Sequence, residues 1–150
     1  MNMQGEYEFN ITFQNMFNTY NMKIKNHNII TYKGLNLMLK CLVNKSNNEF
    51  LGDIRLGYND ALPTERDDID TFITPIRLPR DYVEVEDNKI TFYATTTGDV
   101  LDGTREIGVW SDSYNPIAVS RDVHDPYNIP TSATITVQYS FTLTNSKEDY

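Results

Sequence analysis

From Thr131 to Thr144 the chain alternates with a period of two. Ile135, Val137, Tyr139, Phe141 and Leu143 share one parity, and Thr134, Thr136, Gln138, Ser140 and Thr142 hold the other. A strand puts every second side chain on the same face, so this segment requires a sheet with one dry side and one polar side. The polar side is expected to be wet or to face a neighbouring subunit.

Shorter runs repeat the pattern. Tyr7, Phe9, Ile11 and Phe13 share a parity, as do Ile54 and Leu56 within Asp53 to Tyr58. A short apolar stretch, Met22 to Ile24, precedes a turn expected at Asn26-His27-Asn28. Tyr82, Val83 and Val85 lead to Asp87-Asn88, and Lys89 to Thr97 resumes with Ile90, Phe92 and Ala94. Asp and Asn tolerate positive φ, so this pair reads as a hairpin turn. Arg105 to Trp110 and Ile117 to Val123 complete the strands. Gly98 to Gly103, Ser111 to Pro116 and His124 to Pro130 are the connecting loops. The stretch between Ile76 and Tyr82, with Arg77, Pro79 and Arg80, reads as irregular, because proline opposes a central strand.

One segment has a helical period. Leu35, Met38, Leu39, Leu42 and Val43 fall on one stripe, with Thr31 as N-cap and Asn44 to Asn48 as a polar end. This helix is expected to lay its stripe over the sheet. The fold class is therefore mainly β: an antiparallel β-sandwich with one amphipathic helix in the N-terminal half. Residues 1–145 are expected to form a single domain and 146–150 a flexible tail.

Composition narrows the function. Ten Tyr, seven Phe and one Trp suit a modest β core. The formal net charge of −8 repels phosphate backbones and anionic lipid, which argues against direct nucleic-acid binding. No run approaches the about 18 apolar residues of a membrane span, and no export signal is expected at the N-terminus. Cys41 is unique, so no internal disulfide forms, and its apolar neighbours suggest a packed side chain.

The chain shows little sign of catalysis. His27 and His124 lack ligand-spaced partners, and a loop histidine beside Asp122 and Asp125 is more simply solvated or paired. Asp67-Asp68-Ile69-Asp70 lacks the glycine and late glutamate of a calcium loop and reads as a charged turn. Phosphate loops and nucleophile elbows are absent from the sequence. The expectation is no enzyme, no cofactor and no metal site.

Three stretches together carry a resemblance. They are Asn28 to Leu35, with Thr31-Tyr32-Lys33-Gly34 opening the helix; Ile54-Arg55-Leu56-Gly57 followed by Pro63-Thr64, Asp70-Thr71 and Arg77 or Arg80; and Arg105-Glu106-Ile107-Gly108-Val109-Trp110 followed by Pro116 to Arg121 and the last strand. Their order resembles small phage virion domains of the tail-collar fibre and baseplate type. The resemblance spans about Asn28 to Thr144. It implies a virion structural protein, assembled in the host cytoplasm as a trimer or ring with other virion proteins. With no fibre shaft after the domain, an adaptor or attachment role is expected. A receptor- or carbohydrate-binding tip, using Tyr58, Tyr114 and Tyr127, is one alternative, and a capsid decoration or head-fibre protein is another. Interface candidates are Arg105, Glu106, Trp110, Tyr114, Arg77, Arg80 and Arg121. One of the first two is expected to pair with Arg77, Arg80 or Arg121, within a subunit or across an interface.

Overall fold

The computed structural model describes residues 2–14, 19–47 and 49–144. The tail expected at 146–150 lies outside the described residues. Among the described residues nine strands follow in chain order: β1 Asn2–Gln14, β2 Thr19–Ile30, β3 Phe50–Gly57, β4 Ile76–Leu78, β5 Arg80–Glu86, β6 Lys89–Thr97, β7 Glu106–Asp112, β8 Ser120–Val123 and β9 Thr134–Thr144. Two helices, α1 Tyr32–Leu42 and the single turn α2 Gly98–Leu101, interrupt them. The strands form one antiparallel sheet in the order β4-β3-β7-β8-β2-β1-β9-β6-β5. The sheet curls until its ends meet, with β3 and β4 touching β6, and β3 touching β5. This nearly closed form matches the expected mainly antiparallel β class.

The alternation that opened the sequence argument sets the core. β9 lies between β1 and β6, and its apolar parity aligns in cross-strand rows: Phe9–Val137–Ala94 and Tyr7–Tyr139–Phe92. All six of these side chains are buried. The opposite parity of the same strands is polar, with Lys25, Glu8, Gln138, Tyr93 and Tyr82 in register across five strands. Lys23–Glu8 and Lys25–Glu6 pair there, and Tyr82 stacks on Tyr93 at 4.3 Å.

Three expectations need correction. The turn expected at Asn26-His27-Asn28 is continuous strand, because these residues pair in register with Gly5, Glu6 and Tyr7 of β1. The irregular stretch at Arg77 to Arg80 is two short edge strands, β4 and the start of β5, separated by Pro79. There the proline costs the sheet no internal hydrogen bond. The third concerns α1. Thr31 caps it as expected, its hydroxyl accepting from Gly34 N at 2.9 Å, and Asn44 leaves it in the left-handed region at φ 56°. Of the stripe, however, only Met38 is buried, and Leu35, Leu39, Leu42 and Val43 face outward. α1 buries Gly34, Leu37 and Met38, while Leu39 and Leu42 are 63% and 79% exposed. Gly34 sets this rotation. A Cβ built there would lie 2.3 Å from the Val119 carbonyl oxygen, so the Gly34 backbone, with Leu37 and Met38, faces the sheet, and the rest of the stripe does not.

β7 is buried along Glu106 to Ser111 on both faces. Ile107 and Val109 point into the main core. The other face is covered by the segment 58–75, where Phe72, Trp110 and Ala118 form a second, small cluster.

Candidate functional site

The motif residues meet at the junction of β7, β8 and the start of α1. Thr31 donates its hydroxyl to the Ala118 carbonyl at 2.6 Å, and its backbone N–H donates to Val119 O at 2.9 Å. A Cβ on Gly108 would stand 2.1 Å from the Ser120 carbonyl, so only glycine allows β7 and β8 to approach this closely. The Thr31 to Gly34 turn, the Arg105 to Gly108 strand and the Pro116 to Arg121 stretch thus form one packing unit.

Beneath segment 58–75 lies a buried ionic network. Arg121 Nε donates to Glu106 Oε1 at 2.8 Å, and Nη1 donates to Asp67 Oδ2 at 2.9 Å. Its Nη2 reaches the Asn59 carbonyl at 3.3 Å. The second Glu106 oxygen accepts from the backbone N–H of Asn59 at 2.6 Å and of Ile73 at 2.9 Å. Asp67 in turn accepts from Thr64 N and Oγ1, both at 3.0 Å. Buried charges persist only when paired and hydrogen-bonded, and these are. The network ties both ends of segment 58–75 to β7 and β8. Both Arg121 and Glu106 are fully buried. Of the expected pairings, that of Glu106 with Arg121 within the chain is the one that forms, and neither side chain reaches the surface of the single chain.

The other candidates fall in separate places. Trp110 is buried against Phe72, ring centres 5.4 Å apart, with the Arg55 guanidinium 4.6 Å above it. It is therefore part of the small cluster and no free anchor. Arg77 and Arg55 hold the buried Asp53 carboxylate from two sides, at 2.6 and 2.5 Å. Arg80 donates to Gly52 O at 3.2 Å beside them. Arg105 is partly exposed and pairs with Asp60 at 3.4 Å. Tyr114, on the loop after β7, is 98% exposed.

Arg105 and Asp60 line an open cleft of about 420 Å³ with Asn26, Val123, His124 and Asp125. The histidine below it is held in one tautomer. Nδ1 faces the Asp125 carbonyl at 2.9 Å, an acceptor only, so the proton sits on Nδ1. Nε2 is buried with no hydrogen-bond partner among the described residues, and the ring stacks on Tyr127 at 4.6 Å and meets Phe9 edge-on at 5.9 Å. Burial pushes His124 below its ordinary pKa, against the opposing pull of the Asp125 carbonyl and the charges of Asp122 and Asp125. His124 is thus packed between Tyr127 and Phe9 with its Nε2 turned inward. Nearby, Tyr7 donates to Asp122 at 2.5 Å, and burial together with that carboxylate raises the phenol.

Among the described residues no three His, Cys, Asp or Glu side chains gather to hold a metal. The acidic run is divided: Asp67 serves Arg121, Asp68 caps the turn Ile69–Thr71 and pairs with Lys33, and Asp70 is exposed. Sequence reasoning missed the buried carboxylates Asp53 and Asp67 and the half-buried Asp122. A signal existed for the first, since Asp53 and Arg55 share the parity opposite Ile54 and Leu56. None existed for Asp67, whose partner is 54 positions away.

Comparisons with protein-family models, with curated proteins and with solved structures gave no match. No helix among the described residues is long and apolar enough to cross a membrane.

Proposed function

We propose that this chain is a non-enzymatic structural protein of a phage particle, an adaptor or attachment module of the tail, collar or baseplate that works by multimeric assembly. The observation that carries the assembly reading is α1. A helix in a lone soluble domain turns its apolar stripe inward, yet here Tyr32, Leu35, Leu39, Leu42 and Val43 stand exposed along it. An apolar patch of this kind marks a contact surface. The virion assignment is supported by the motif order, whose scattered residues pack as one unit around Thr31, Gly34, Gly108 and Val119.

The test is composition of the particle. Mass spectrometry and reconstruction of purified virions should find the chain in several copies at the tail or baseplate. Its absence from particles in which its gene is expressed would overturn the reading, and a copy number matching the capsid lattice would transfer it to head decoration. The carbohydrate-tip reading gains less from the geometry, because Tyr127 is committed to His124. A glycan array with purified protein decides it.

A further inference from the structure

We infer that two copies of this chain pair edge to edge through β2, the two strands running antiparallel about a two-fold axis at Met22. The inference rests on the assembly reading above and assigns one contact to it.

β2 has a full partner along one side only. Residues 19–28 all pair with β1. On the other side β8 reaches only Ile29 and Ile30, and among the described residues no further backbone group bonds the peptide groups of 19–28. Peptide groups point to alternate sides along a strand. The Thr31 N–H donates to Val119 O on the β8 side, so Thr19, Asn21, Lys23, Lys25 and His27 turn theirs to the open side. All five residues are exposed.

Natural edges are kept from pairing by brevity, bulges, proline or a charge on the buried side. β4 is three residues long, and β5 follows Pro79, shifts register between Arg80 and Tyr82, and carries Asp81, Glu84 and Glu86. The open stretch of β2 has no proline and keeps unbroken register with β1. Its core side carries no charge, and Met22 there is 48% exposed beside the half-buried Ile24. Lys23 and Lys25 lie on the outer side and are neutralised by Glu8 and Glu6 of β1.

The stretch is self-complementary in one register. With Met22 opposite Met22 of the second copy, Asn21 faces Lys23 and Thr19 faces Lys25. Each lysine then meets an uncharged side chain, and the methionines meet on the core side. Centring on Lys23 sets that lysine against itself, and centring on Ile24 sets Lys23 against Lys25; like charges directly opposite destabilise. Centring on Asn21 shortens the overlap to 19–23, and registers farther toward Asn28 run into the two residues that β8 holds. In the Met22 register Thr19, Asn21, Lys23 and Lys25 form the bonded pairs, about eight main-chain hydrogen bonds over about 24 Å. The occupant this edge fits is therefore its own copy, and the contact closes as a two-fold dimer.

The test reads both the dimer and its register in the full chain. Sedimentation velocity should show a dimer. Lys23→Pro removes an N–H on the open side and no bond to β1, so circular dichroism should match the parent while the dimer weakens roughly tenfold or more. Met22→Lys sets two charges face to face on the axis and should weaken it likewise, with no change to the backbone; it decides the matter where the proline disturbs the spectrum. Single cysteines in a Cys41→Ser background give the register. Facing residues of a non-bonded pair stand about 4.5 Å apart, within disulfide reach, so Met22→Cys should oxidise to a covalent dimer roughly tenfold faster than Lys23→Cys or Ile24→Cys. Fastest cross-linking by either of those overturns the register and the self-complementarity that selects a second copy. A dimer that neither Lys23→Pro nor Met22→Lys weakens, and that no cysteine traps, overturns the β2 contact and leaves the assembly reading intact. A monomeric parent overturns the contact, while particle composition judges the virion reading separately.

Discussion

The Arg121 guanidinium meets the Glu106 carboxylate at 2.8 Å where solvent does not reach, across two strands fifteen positions apart in the chain. Removing the cation leaves Glu106 and Asp67 buried and unpaired together. Arg121→Leu should cost about 3–5 kcal/mol in denaturant unfolding. Glu106→Gln keeps the shape and one acceptor oxygen and should cost less. A double-mutant cycle between the two should show a coupling of at least about 0.5 kcal/mol. Additive effects would show that the pair does not hold segment 58–75.

Gly108 and Gly34 are among the glycines fixed by neighbouring backbone. Gly108→Ala and Gly34→Ala place a methyl at 2.1 and 2.3 Å from carbonyl oxygens that cannot move independently. Each should lose about 1–3 kcal/mol or more. Gly103 is the contrast: nothing stands within 4 Å of its Cβ position, and its φ is +75°. Gly103→Ala should cost only the left-handed strain, about 1 kcal/mol. Melting curves for the three variants would rank them.

Thr74 adopts φ 48°, unusual for a β-branched residue. Its neighbour Ile73 is held by Glu106, which imposes the turn. Asparagine accepts this conformation more easily. Thr74→Asn should raise stability by about 1 kcal/mol, or roughly 2–4 °C in Tm. A fall in Tm would show that the threonine side chain contributes more than its strain costs.

Stability should decline on both sides of neutrality. His124 is depressed by burial, so below about pH 6.5 the unfolded chain takes up a proton that the native chain refuses. Stability is full above that pH and falls as pH drops. His124→Phe should flatten this part of the profile. Asp68 is pulled the other way by burial, but the bonds from Lys33 and the Ile69 N–H win and lower it. Its contribution is present above about pH 3.8 and fades below. At the alkaline end, burial raises Tyr7 and Tyr139 and pushes Tyr127 up to about 12. The unfolded phenols ionise near 10 and the native ones do not, so stability is lost as pH rises past that value. Urea midpoints from acid to alkaline pH check all three windows.

Much of the sheet was legible from periodicity alone. The β9 rows, the β1 face and the β5–β6 turn at Asp87 follow from alternation and turn chemistry, which are local. The nearly closed curl, the continuity of β2 through Asn26 to Asn28, and the edge position of Arg77 to Arg80 were not, because each depends on which strand lies alongside. The candidate contact residues fared similarly. Tyr114 stands free and Arg105, Arg77 and Arg80 reach the surface, but Glu106, Arg121 and Trp110 are enclosed by segment 58–75.

By itself, then, the sequence determined the β class, the helix α1 and its cap, and the residues able to form a dry face. Tertiary structure decided which apolar stripe became core and which stayed outside. In α1 that choice fell to Gly34, whose missing side chain lets the helix backbone press on Val119 and turns Leu39 and Leu42 to solvent. Periodicity marks a side of a helix as apolar. Only the closest backbone contact sets the direction in which that side points.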